Sequence, residues 1–209
     1  MSPFDTMEGM QTRQGQVTQR RDSWQNAALI TGAFVVVLWV LEIVDTASGH
    51  ALDPYGVQPR SEDGLIGIVL APLLHFGFGH LVSNTVPVAV LGFLTLATGI
   101  ARGLLATAII WVVGGLGVWV FAQPQSNHAG ASVLIFGWIV FLLVRGFLNR
   151  NTTEILIGVA VFLLYSGALL GVLPGQPGVS WQGHLFGAIG GFVAARLLTT
   201  RRRADDFPY

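Results

Sequence analysis

Residues 103–122, GLLATAIIWVVGGLGVWVFA, hold no charged side chain. A helix of about 20 residues rises ~30 Å, the thickness of a bilayer's hydrocarbon core, so the stretch reads as a membrane helix. Five more apolar stretches have comparable length, at roughly 26–46, 81–100, 131–148, 154–173 and 183–199. Of the 209 residues 52% are hydrophobic and 11% charged, too little polarity for an ordinary water-exposed surface. The expected fold class is therefore an all-α membrane protein. Its expected organisation is one six-transmembrane-helix domain over 26–200, a cytoplasmic N-terminal segment 1–25 and a cytoplasmic tail 201–209. The first stretch follows about 25 polar residues and is too extended for a cleaved leader, so it reads as a retained helix. There are no cysteines, hence no disulfides or thiolate metal sites, while 27 glycines suit close helix packing.

Loops rich in cations stay on the cytoplasmic side, and here every cation is an arginine. Arg13, Arg20 and Arg21 precede the first stretch, Arg102 follows the second, Arg145 and Arg150 close the fourth, and Arg196 with Arg201, Arg202 and Arg203 close the sixth. Arg60 alone falls in a loop assigned outside. Both termini are thus expected in the cytoplasm of a multi-pass protein of the plasma (inner) membrane. The balanced charge gives no support for nucleic-acid binding, and the bilayer is the expected partner. Arginine without lysine fits a GC-rich bacterial genome, such as an actinobacterial one.

The longest outside connection, Thr46 to Gly79, mixes Asp53, Pro54, Arg60, Glu62 and Asp63 with apolar residues from Leu65 to Leu74. It reads as a compact loop with a short helix half sunk in the interface. Arg60 is expected to pair with Glu62 or Asp63, Glu42 and Asp45 to mark the outer end of the first helix, and His50 and His128 to lie on the surface. Ser126 and Ser180 read as loop residues.

Polar residues collect at the outward ends of three apolar stretches, where they are costly and point to a functional site. His80 and Asn84, four apart, share one helix face, and His75 lies on the entry to that helix. Ser132 stands just after Gly130 where the fourth helix begins, and His184 opens the sixth. A hydroxyl becomes a nucleophile when a base takes its proton, and neutral imidazole suits that work near pH 7. Ser132 and His184 fit these roles. His80, Asn84 and the Ser132 N–H could receive the oxyanion of a tetrahedral intermediate. Gly183, Gly187 and Gly191 make a small-residue stripe that would bring the sixth helix onto the fourth, with Phe136 placed to stack on the His184 ring.

The pattern His75-x4-His80-x3-Asn84, then Gly130-x-Ser132, then Gly183-His184-x2-Gly187-x3-Gly191, resembles the rhomboid intramembrane serine proteases over roughly residues 26–200. The resemblance implies a rhomboid-like bundle with a long interfacial first loop and a Ser132–His184 dyad without aspartate. It also implies an oxyanion hole of His80, Asn84 and the Ser132 amide, with His75 in support, and cleavage of transmembrane protein substrates near the outer surface. Substrates would enter from lipid past the fifth helix and the cap after it. No cofactor or metal is implied.

Two positions depart from the family pattern. Val133 stands where many rhomboids have glycine after the nucleophile, and is expected to crowd the sixth helix. Ile66 and Gly67 stand near the place of a common Trp-Arg pair, so the first loop must be anchored differently. Two rival readings remain: a catalytically inactive rhomboid-like binding factor, and a metal or haem protein ligated by His75, His80 and His184.

Overall fold

The computed structural model describes residues 3–199, with side chains from Ser23 onward except those of Ala168 and Leu169. The expected tail 201–209, with Arg201, Arg202 and Arg203, lies outside the described residues. Eight helices occur among them: α1 Pro3–Ala47, α2 Gly67–Leu70, α3 Phe78–Ala97, α4 Ile100–Phe121, α5 Ser132–Asn149, α6 Thr152–Leu164, α7 Ser166–Leu169 and α8 Trp181–Leu198. Single 3₁₀ turns lie at Asp53–Tyr55, Asp63–Leu65, Ala71–Leu73 and Leu170–Val172.

Among the described residues four helices are long and apolar enough to cross a membrane: α1 over Ser23–Ala47, α3, α4 and α5. The other two expected spans differ for physical reasons. Residues 154–173 do not form one helix, because α6 stops at Leu164 after 13 residues, about 20 Å. Beyond it come Ser166, Gly167 and Gly171, and the Ser166 hydroxyl donates to the Leu163 carbonyl at 2.8 Å, a local bond that competes with the helix ladder. Helix α8 has 18 residues, but Gln182, His184 and Arg196 dilute its apolar content.

Helix α5 is the hub. Its Leu134, Ile135, Phe136, Trp138, Ile139 and Phe141 are buried, and it packs against α3, α4, α6 and α8. In lipid there is no hydrophobic drive between helices, so association rests on close van der Waals approach. Glycines supply it. A Cβ on Gly187 would collide with the Val133 carbonyl, and one on Gly191 with the Gly137 carbonyl, so α8 lies backbone against backbone on α5. Gly190 meets α4 at Ile110. Gly183, expected in the same stripe, faces Ser180 and Val118 instead.

The first loop is tied to α4. Arg60 does not pair with Glu62 or Asp63 as expected; its two guanidinium nitrogens donate to the Val120 and Ala122 carbonyls, each at 2.8 Å. Those carbonyls lie at the end of α4, where a helix leaves its last acceptors unpaired and its dipole favours a cation, whereas an exposed ion pair contributes little. Trp119 Nε1 donates to Ser61 O at 2.9 Å and Trp111 Nε1 to Ile68 O at 3.0 Å. These bonds anchor the loop where the family's Trp-Arg pair is missing.

Candidate active site

Ser132 is the first residue of α5, where a backbone N–H has no acceptor within its own helix. The segment before it is held by the first loop. Gly130 N–H donates to Ala71 O at 2.8 Å, Ala131 N–H donates to His75 Nε2 at 3.3 Å, and His128 exchanges backbone bonds with Val57. Gly130 is required twice over. Its φ of 126° is a region side chains avoid, and a Cβ there would stand 2.7 Å from the His80 ring.

His184, in the first turn of α8, places Nε2 3.0 Å from Ser132 Oγ. On the far side of the ring, Nδ1 stands 2.9 Å from the Gly171 carbonyl, which can only accept. The Nδ1 proton therefore belongs to that bond, and the Nε2 lone pair faces the serine. Phe136, one turn after Ser132, stacks on the imidazole with ring centroids 4.0 Å apart and planes 8° from parallel. Tautomer, direction and plane of the imidazole are thus each set by a different contact.

His80, Asn84, Ser132 and His184 line one open cavity of about 640 Å³. Asn84 is buried, and its amide nitrogen has no partner among the described residues. An unanswered buried donor is costly, which suits a group kept for a charge that appears only during reaction. His75 is 2% exposed and does not line this cavity; it sits behind it, edge to face with His80 at 5.0 Å, bonded to Ala131. Burial, with the neighbouring His80 adding, pushes its pKa down to about 3, so it stays neutral and its Nε2 remains an acceptor.

Three residues escaped the sequence reading. Gly171 contributes a carbonyl that any residue could offer. His128, expected on the surface, is half-buried and lines the cavity, with Nδ1 2.7 Å from Ser180 Oγ and Nε2 2.8 Å from Ser126 Oγ. Ser180 also caps α8 by accepting the Gly183 N–H at 3.2 Å. Val133, expected to crowd α8, does not: its Cγ2 fills the notch at Gly114 of α4, and only its backbone meets Gly187. Nor do His75, His80 and His184 converge as a metal site. Among the described residues the one group able to share an ion is Asp45, His50 and Asp53.

Comparison with known proteins agrees with this geometry in kind. Residues 62–201 match the Rhomboid domain family. An uncharacterized protein of Mycobacterium tuberculosis is 47% identical over 194 residues, covering 89% of this chain and 81% of the relative. One from Mycobacterium leprae is 43% identical over 194 residues, covering 89% and 77%. A Bacillus subtilis protein provisionally named a rhomboid protease is 31% identical over 172 residues, covering 81% and 80%. A serine at a helix start facing a helical histidine, in a bundle of apolar helices that matches this family over two thirds of its length, leaves one conclusion: the chain belongs to the rhomboid family.

Proposed function

We propose that this protein is an intramembrane serine endopeptidase that cleaves transmembrane protein substrates by a Ser132–His184 dyad. The observation that carries the reading is the 3.0 Å approach of His184 Nε2 to Ser132 Oγ, with Nδ1 committed to Gly171 O. His184 takes the hydroxyl proton as Ser132 Oγ attacks the scissile carbonyl, and the resulting oxyanion is received by His80, Asn84 and the Ser132 N–H. Collapse breaks the C–N bond, and the imidazolium returns its proton to the leaving amine. Water then repeats the cycle on the acyl-enzyme and releases the acid.

In this reading the domain spans 26–200, six segments cross the plasma (inner) membrane, the fifth being α6 continued by α7, both termini are cytoplasmic, and the cavity opens near the outer surface. Helix α6 packs chiefly on α5 and turns Leu156, Ile157, Leu163 and Leu164 outward. It rests on essentially one neighbouring helix, which supports substrate entry past α6 and the α7 cap.

A fluorophosphonate probe on the detergent-solubilised protein, with the adduct mapped by mass spectrometry, tests the assignment. The expected adduct is on Ser132, absent in Ser132→Ala and His184→Ala and retained in His128→Ala. The last variant matters because Ser126 and Ser180 also touch an imidazole. An adduct on either of those serines overturns the dyad. A folded protein that neither labels nor cleaves a helix-destabilised substrate favours the inactive binding factor.

A further inference from the structure

Away from the cavity, at the outer end of α1, Asp45, His50 and Asp53 bring one donor atom each to within 4.8 Å of one another. His50 Nδ1 stands 3.1 Å from Asp45 Oδ2 and 3.6 Å from Asp53 Oδ2. A tetrahedral zinc with bonds of about 2.0–2.1 Å separates its ligands by ~3.3 Å, between these two values. We propose that Asp45, His50 and Asp53 form a site for a zinc-like divalent transition metal, with the fourth position open to water.

Four features support it. The donor set of one imidazole and two carboxylates suits zinc, whereas calcium and magnesium favour oxygen alone. Asp45 is 3% exposed, and its other oxygen accepts the Leu52 N–H at 2.6 Å, so the ligand is held from behind as metal carboxylates are. His50 and Asp53 stay accessible, which leaves an entry path.

The fourth feature is independent of the three ligands. Glu42, one turn before Asp45 on the same face of α1, is 2% exposed, and neither carboxyl oxygen has a hydrogen-bond partner. The Gly77 N–H lies nearby without reaching hydrogen-bond geometry. Glu42 lines the same small cavity as Asp45 and Asp53 and feels the charges of both and of His50. Three carboxylates thus crowd around His50, with His75 on the wall of the same cavity. A divalent cation would relieve that crowding, binding His50 at Nδ1 while the imidazole proton moves to Nε2.

The site is tested on tag-free, metal-stripped protein in detergent, titrated calorimetrically with Zn²⁺ alone; cobalt absorption reports the coordination geometry. The expected result is one zinc per chain. Affinity should fall in both His50→Ala and Asp53→Asn by more than the roughly 10–100-fold that loss of an outer-sphere partner costs, and should hold in His184→Ala. His50 and Asp53 are not buried, so their variants should fold, which unchanged helical circular dichroism would show. Absence of zinc binding, binding that survives either surface variant, or binding lost with His184→Ala overturns the proposal. None of these readouts depends on proteolysis.

Discussion

The Gly171 carbonyl and the Ser132 hydroxyl lie on opposite edges of the His184 ring, 2.9 Å from Nδ1 and 3.0 Å from Nε2. A backbone oxygen thus holds the imidazole where a triad would use an aspartate. It cannot be removed by mutation, but it can be displaced. A Cβ at Gly171 would stand 2.7 Å from His184 Nδ1, so Gly171→Ala must push the ring or the turn aside. Turnover of a model transmembrane substrate should fall on the order of 10²-fold, the cost of a misplacement near 1 Å, with KM little changed.

Asn84 offers a second kinetic signature. If its unpartnered amide nitrogen receives the oxyanion, Asn84→Ala lowers kcat by roughly 10²–10³-fold and leaves substrate affinity nearly intact. A change confined to KM would make Asn84 a substrate contact instead.

Gly191 tests the packing that sets the dyad. Its missing side chain admits the Gly137 carbonyl, and backbone cannot swing away as a flexible side chain can. Gly191→Ala should destabilise the bundle by about 1–3 kcal/mol and slow probe labelling as α8 withdraws from α5. Thermal unfolding in detergent, run beside the labelling rate, measures both effects together.

His75 should give the protein an acid-sensitive step. Its folded pKa of about 3 lies below the ordinary 6.5, so between those values the folded chain binds fewer protons than the unfolded one. Its contribution is therefore whole above about pH 6.5 and is lost as pH falls towards 3, by up to ~1.4 kcal/mol per unit. Unfolding followed from pH 7 to pH 5 should show a shallower decline in His75→Gln than in the parent. Equal slopes would mean that His75 does not carry the effect.

That Ser132, His184, His80, Asn84 and Phe136 line one cavity was legible because helical spacing and residue chemistry together point to it. The single-turn offset between Ser132 and Phe136, for instance, already places a ring beside the base. Gly171 was not legible, since its contribution is a carbonyl and the turn bearing it exists only because α6 ends early. Arg60 was misjudged because carboxylates two and three residues away are visible in a sequence, whereas helix-end carbonyls some 60 residues distant are not. Val133 was misjudged for a related reason: periodicity gives a helix face, and the Gly114 notch that receives the side chain belongs to another helix.

The bonds that hold the segment before Ser132 reach back to Val57, Ala71 and His75, and His184 lies 52 residues ahead on α8. Such contacts close long loops, so the site assembles late, whatever the speed of each helix. On the proposed mechanism, a nascent chain still lacking residue 184 would have Ser132 in place without His184 to activate it, and would be harmless to the membrane proteins inserting around it. The proposed activity would then switch on only when α8 docks its glycines against α5, making closure of that helix pair the first moment of chemistry.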